Sequence, residues 1–354
     1  MFKIVKEDKK ARVGILNTRH GKIKTPFFMP IATKGAFKIM KQHDLLDMGV
    51  EALIANAFVL YMKPGLEVIQ HFGGIHKFMK WDKCIFTDSG GFQVLSNEFL
   101  VSLNEKGAVF RNPYTSKKEL FSPERAIEVE EAVGGDVAMT LDDVPHYGKD
   151  KEYIAEATRI THLWAERCIK THKDEKQLLF GICQGGTFKD LREKSAAKIN
   201  SLGFDGFAIG GLGIGEGREN MYNMIKVALS KVDKNKPRYV MGIGSPEDIL
   251  EAVSLGIDCF DSRYPTQNAR HGTLFTRFGN INIDKQMYHK DINPIDSECD
   301  CYTCRHYSRA YIHHITRTKE PIREYFNSIH NLHFIQNLVV DIRESIKNNE
   351  FNSF

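Results

Sequence analysis

The order of elements predicts an α/β chain whose parallel strands close into a (β/α)8 barrel. Eight short β-rich runs recur along the chain, most are followed by an amphipathic stretch, and nearly all end in polar or glycine residues. The runs read FFMPIAT (27–33), ALIANAF (52–58), CIFTDSG (84–90), DVAMTLDD (136–143), LLFGICQGG (178–186), GFAIGGL (206–212), RYVMGIGS (238–245) and IDCFDS (257–262). Strands this apolar on both faces belong to a parallel sheet covered by helices. The helices are SPERAIEVEEAVG (122–134), EYIAEATRITHLWAERCIKTH (152–172), FKDLREKSAAKINSLG (188–203) and PEDILEAVSLG (246–256), with apolar residues three and four apart. The first and last open with Pro in the first turn and close at Gly, the expected polarity of helix ends. An open doubly wound sheet is the structural alternative.

The 354 residues carry a formal charge of only +4, so composition does not announce a nucleic-acid binder, and a local basic stretch has to make that argument. No apolar run approaches the roughly 20 residues that span a bilayer. The opening MFKIVKEDKKARVG lacks an apolar signal core, which leads to the expectation of a cytoplasmic protein. Of seven cysteines, Cys84, Cys168, Cys183 and Cys259 sit alone in apolar or helical contexts and read as small reduced hydrophobes.

Active sites of such barrels lie at the carboxyl ends of the strands. There the runs place Asn56, Asp88, Ser89, Asp142, Asp143, Gln184, Gly210, Gly211 and Asp261, from six strands that converge on one mouth. A lone Asp or Ser past a strand is as readily a helix N-cap; the set is harder to explain that way. Asp88 and Asp261 suit cleavage of a glycosidic-type bond, one carboxylate attacking the anomeric carbon and the other moving the leaving group's proton. Mg²⁺ coordination is the competing use of paired acids, and Arg263 and Arg270 beside Asp261 argue for a phosphate instead. Asp142 can accept from two adjacent N–H donors. Gln184 and a backbone N–H at Gly211 can meet a carbonyl oxygen, as the Watson–Crick edge of guanine requires, and Phe92 can stack on such a base. The glycines of FAIGGLGIGEG (207–217) do not match a dinucleotide loop; a tight turn against a flat ligand fits them better.

Cys299, Cys301 and Cys304 form a C-x-C-x2-C cluster needing one more N or S ligand for a tetrahedral zinc shell. His306, His313, His314, His330 and His333 are the candidates. A closed shell of three thiolates and one imidazole makes the Zn²⁺ structural. Arg305, Arg309, Arg317, Lys319 and Arg323 around it read either as a solvated face or as a nucleic-acid contact.

Taken together, DSGGFQ (88–93), LDD (141–143), CQGG (183–186), IGGL (209–212), MGIGSPEDI (241–249), FDSRYPTQNARHG (260–272), CDCYTC (299–304) and IHNLHF (329–334) resemble the tRNA-guanine transglycosylases of the queuosine branch over nearly the whole chain. The resemblance implies a zinc-containing barrel that exchanges guanine at the wobble position of certain tRNAs for a 7-deazaguanine. By similarity, Asp261 is the nucleophile on ribose and Asp88 the general acid/base. Asp142, Gln184, Gly211, Leu212 and Ser89 are base-recognition positions, Phe92 and Met241 flank the base, and Asn56 positions the nucleophile. Arg263, Thr266, Gln267 and Arg270 fall in the RNA-binding stretch, and Cys299, Cys301, Cys304 and His330 match the zinc ligands. The implied mechanism is ping-pong through a covalent adduct with a flipped-out base, and a homodimer is expected.

Departures from the family pattern are local. Ser262, Arg263 and Gln267 replace the usual Cys, Val and Arg after the nucleophile, so one positive tRNA contact is lost and another is offered nearby. Ala57, Phe58 and Val59 alter the support of Asn56. Val144 resembles the queuine-using enzymes, whereas bulky Ile214 should obstruct queuine's cyclopentenediol, which favours the 7-aminomethyl precursor. The domains expected are a catalytic barrel over 1–285, a zinc-binding subdomain over 286–335, and a terminal helix over 336–354 packed back on the barrel. A barrel nucleoside glycosidase would share the acids but need no zinc subdomain, and a catalytically silent, tRNA-binding partner subunit would not keep both acids.

Overall fold

The computed structural model describes residues 2–91 and 100–353. Three strands, β1 (Phe2–Asp8), β2 (Ala11–Thr18) and β3 (Gly21–Thr25), form an antiparallel sheet. The barrel follows: β4 (Phe27–Met29), β5 (Ala52–Asn56), β6 (Cys84–Asp88), then, after an antiparallel insertion of β7 (Leu100–Asn104), β8 (Gly107–Arg111) and β9 (Lys118–Phe121), β10 (Val137–Met139), β11 (Leu178–Cys183), β12 (Gly206–Ile209), β13 (Arg238–Val240) and β14 (Cys259–Asp261). The eight barrel strands are parallel in the order β4-β14-β13-β12-β11-β10-β6-β5. A parallel bridge between Ile31 and Ile54 joins the two ends of that order. Each of the eight runs expected from the sequence contains one of these strands.

Side chains alternate across the barrel wall. Phe27, Met29, Phe86, Met139, Phe180, Ile182, Ala208 and Tyr239 fill the lumen, while Phe28, Leu53, Ile85, Ala138, Leu179, Phe207 and Val240 pack outward under the helices. This period of two inside an all-apolar run is what a sheet buried on both faces demands. Leu16 and Ile23 join the lumen cluster, so the N-terminal sheet plugs the barrel from the end opposite the strand termini. The helices Pro123–Val133 and Pro246–Leu255 start at Ser122 and Ser245, whose hydroxyls accept from Arg125 N and Asp248 N, and end at left-handed Gly134 and Gly256.

After β14 come the hairpin β15 (Thr273–Leu274) and β16 (Ile281–Asn282), the helices Tyr302–His306 and Arg309–Arg317, and the long helix Ile322–Asn348. That helix begins in a small second core with Phe326 and Ile329 and ends in the main core with Ile335, Val339, Ile342 and Ile346. One helix thus runs through both the expected metal-binding unit and the expected terminal helix. No described helix is long and apolar enough to cross a membrane.

Candidate active site and metal centre

The ends of β5, β6 and β14 place Asn56, Asp88 and Asp261 around a cavity of about 690 Å³, which Arg263, Thr266, Gln267 and Arg270 also line. Asn56 Nδ2 donates to Asp88 Oδ2 at 3.0 Å, and its Oδ1 caps the next helix by accepting from Val59 N. Burial pushes the Asp88 carboxyl up to about 6, and the charge of Asp261 adds to the rise against hydrogen bonds from Gly90 and Asn56. Asp261 Oδ1 receives the Tyr239 hydroxyl at 2.5 Å and Gly242 N at 2.8 Å. These bonds oppose the burial that raises its pKa. Both fall on Oδ1; among the described residues no hydrogen bond falls on Oδ2.

Beside this pair, Gln184 Nε2 donates to Asp142 Oδ2 at 2.6 Å. Gly211 has φ +67°, and a Cβ there would lie 2.3 Å from Gln184 Oε1; one on Gly210 would lie 2.6 Å from Gln184 Nε2. The amide therefore lies flat on bare glycine backbone, which is the physical reason for glycine at both positions. Burial pushes the Asp142 carboxyl up to about 8, opposed by Gln184 and reinforced by the charges of Asp88 and Asp143. The two groups adjoin, since a Cβ on Gly91, three residues past Asp88, would lie 2.6 Å from Asp142 Oδ1. Ser89 Oγ donates to Thr140 O at 3.1 Å, Leu212 is buried in the main core, and Met241 packs half-buried against the lumen. Phe92 lies outside the described residues. Asp143 lines a separate cavity of about 590 Å³ with His146 and Tyr153.

Tyr239, Gly242 and Glu216 are residues beside the candidate groups that the sequence reading missed. Tyr239 carried a signal, being the one hydroxyl-bearing side chain at an inward position of its strand. Glu216 accepts from Gly213 N and from Ile214 N, the latter at 3.0 Å. Because a trans peptide is planar, the Leu212 carbonyl then points away from Glu216.

Cys299, Cys301, Cys304 and His330 come together as a group that could hold a metal ion. His330 Nδ1 lies 3.6, 3.6 and 3.3 Å from the three Sγ atoms. A tetrahedral zinc with ordinary Zn–S and Zn–N bonds sets that edge at about 3.6 Å. His330 Nε2 is 2.7 Å from the Phe275 carbonyl, a donor contact that leaves Nδ1 its lone pair for a metal. Of the other candidates, His313 is bound to Ile283 O and His333 to Asp300, each at 2.7 Å.

Comparison with known proteins agrees over the full length. The family model described as queuine tRNA-ribosyltransferase matches residues 7–354. Relatives named queuine tRNA-ribosyltransferase include those of Desulforamulus reducens, 44% identical over 98% of this chain and 94% of the relative, and Fusobacterium nucleatum, 44% identical over 100% and 95%. That of Thermotoga neapolitana is 44% identical, again over 100% and 95%.

Proposed function

The chain belongs to the queuine tRNA-ribosyltransferase family, a family of transferases, and from that premise we propose that it is a tRNA-guanine transglycosylase. It exchanges guanine at the wobble position of tRNA for a 7-deazaguanine through a covalent Asp261–ribose intermediate. The observation that carries this reading is the pairing of Asp261, with one oxygen held by Tyr239 and Gly242 and the other without a hydrogen bond among the described residues, with Asp88, whose pKa near 6 suits proton transfer.

Asp261 Oδ2 attacks C1′ of the flipped-out nucleotide, the C1′–N9 bond breaks with its electron pair passing to the purine, and Asp88 supplies the proton that neutralises guanine. The incoming base then gives its N9 proton to Asp88, attacks the same carbon and displaces Asp261. The Asp142 carboxylate accepts the two N–H donors of the pyrimidine edge, and Gln184 with the Gly211 backbone meets the carbonyl oxygen. By the family resemblance, Met241 packs on one face of the ring and Phe92 is its stacking partner. Arg263 and Arg270, with Thr266 and Gln267, line the same cavity as both acids and suit the phosphates on either side of the flipped nucleotide. Arg263 takes over the positive contact that Gln267 lacks. Cys299, Cys301, Cys304 and His330 would hold a zinc, which would supply folding energy by linking the C-terminal unit to the long helix rather than act on substrate. The protein works as a homodimer in the cytoplasm, a part of the proposal that rests on the family resemblance.

The incoming base is the 7-aminomethyl precursor. Ile214 is bulky where queuine's ring would extend, and the Leu212 carbonyl, turned from Glu216, offers an acceptor for an ammonium group. Incorporation of labelled guanine, 7-aminomethyl-7-deazaguanine and queuine into unmodified tRNA tests the proposal. Guanine and the aminomethyl base should be incorporated and queuine poorly. Incorporation of no base would overturn the activity, and a preference for queuine would overturn the substrate assignment.

A further inference from the structure

Arg192 lies in the helix Lys189–Ser201, on the outer side of the barrel wall, and its side chain is completely buried. Among the described residues no carboxylate lies within ion-pair distance of it, and Glu216 acts on it only through its charge from farther off. Its guanidinium instead donates to three backbone carbonyls: Nη1 to Cys183 O at 3.0 Å and Gly210 O at 2.9 Å, and Nη2 to Gly186 O at 2.8 Å. Its Nε is buried with no hydrogen-bond partner. A buried cation with no carboxylate in contact is expensive, and burial outweighs the favourable charge of Glu216, so a core helix would be better served by an apolar residue here unless those three carbonyls need holding.

They flank the base-recognition groups. Cys183 precedes Gln184, Gly186 follows it by two residues, and Gly210 precedes Gly211. Cys183 O also accepts Gly210 N at 3.0 Å, which makes Arg192 the outer rivet of the seam between the ends of β11 and β12. One turn along the same helix, Ser195 Oγ accepts Gln184 N at 3.0 Å and lies 3.0 Å from His162 Nε2. The helix can sit this close because Gly185 has no side chain; a Cβ there would lie 2.7 Å from Arg192 N.

We infer that Arg192 is a positioning residue for base recognition. By clamping the carbonyls of Cys183, Gly186 and Gly210 it fixes the separation of the Gln184 amide from the Gly210–Gly211 backbone, and so sets affinity for the purine-type base without entering the chemical step. The inference rests on the base-binding reading of Gln184 and Gly211 proposed above.

The test uses full-length protein with guanine as the probe, by calorimetric binding to the free enzyme and by steady-state exchange of labelled guanine into tRNA. Arg192→Met should raise the guanine Kd and KM by about tenfold or more, the scale of losing charged hydrogen bonds, while kcat and the KM for tRNA stay near wild type. Arg192→Lys should not restore affinity, because one ammonium cannot span three carbonyls held by a planar fork. Ser195→Ala, which removes the neighbouring bond to Gln184 N, should raise the guanine KM in the same selective way, and Arg192→Lys carries the test of Arg192 itself if Arg192→Met does not fold. Unchanged guanine Kd and KM in Arg192→Met and Ser195→Ala, or losses shared equally by kcat, tRNA KM and guanine KM, would overturn the inference. A wild type that binds guanine but exchanges none, with binding still lost in the variants, would support the clamp and sink the transferase reading instead.

Discussion

The guanidinium of Arg12 clasps both carboxylate oxygens of Asp258, the two residues lying 246 positions apart in the chain. Both side chains are fully buried, and Asp258 Oδ2 also accepts Arg238 N at 2.7 Å. Asp258 and Asp261 stand three residues apart on one strand run and serve opposite ends of the barrel. Asp258 ties the N-terminal sheet to the base of the wall, and Asp261 opens onto the mouth. Breaking a buried pair by removing one partner strands a charge and costs about 3–5 kcal/mol. Asp258→Ala should therefore lower the unfolding free energy by that order in urea titrations while the folded fraction keeps its kcat. A loss below about 1 kcal/mol, the range of an exposed pair, would contradict this role.

Guanine binding should depend on pH through Asp142. Its carboxyl is pushed up to about 8, chiefly by burial, so at neutral pH the free site is largely protonated. A base presenting two N–H donors needs the carboxylate, so binding releases a proton. Affinity should rise with pH, by up to tenfold per unit below about 8, and level off above it. Calorimetry from pH 6 to 9 in buffers of different ionisation enthalpy reads both the slope and the proton release. In Asp142→Asn the slope should vanish along with most of the affinity.

Removal of the metal should act on the C-terminal unit first. Leu274, Ile283, Ile295, Ile312, Ile315, Phe326 and Ile329 form only a small core around the cysteines, and such units draw folding energy from zinc. Elemental analysis should find about one zinc per chain, and Cys304→Ser should lose it. In that variant, hydrogen exchange should accelerate over the residues around 273–320, with the barrel strands still protected. Full protection without metal would contradict the assignment.

Asp136 makes a separate prediction about acid stability. It is fully buried at the start of β10, where His20 N, His20 Nδ1 and Ile85 N each approach within 2.9 Å and His76 Nε2 within 3.0 Å. Burial pushes its carboxyl up, but the bonds from His76, Ile85 and His20 outweigh that and hold it below the usual range. A group with a depressed folded pKa stabilises the fold above its unfolded value of about 3.9, and that contribution is lost as pH falls through the folded value. Asp136→Asn should be less stable at neutral pH and should lose less further stability on acidification than the wild type. Parallel acid profiles would rule this out.

Much of the candidate site was legible because barrel strands are buried on both faces. Runs such as ALIANAF and LLFGICQGG are apolar until they reach the mouth, so Asn56 and Gln184 stand out as the first polar residues of theirs, and Asp88, Asp142 and Asp261 as the acids at the carboxyl ends of their runs. Other features left no such signature. The N-terminal sheet, FKIVKED and ARVGILNT, alternates like any exposed hairpin, and nothing local says that Leu16 plugs a lumen. Arg192 lies among Lys189, Asp190, Glu193 and Lys194 and reads as a solvated helix face; only tertiary packing turns it onto the carbonyls of β11 and β12. The choice of His330 over four other histidines likewise depends on how one long helix passes the cysteine cluster.

The central claim is that Asp261 bonds to ribose. Wild-type protein mixed with unmodified tRNA in the absence of an incoming base, then run on a denaturing gel, should show a band of protein covalently joined to tRNA, chased away by added guanine. Asp261→Asn should bind the same tRNA in a native gel and show no such band, whereas a covalent band from that variant would contradict the account.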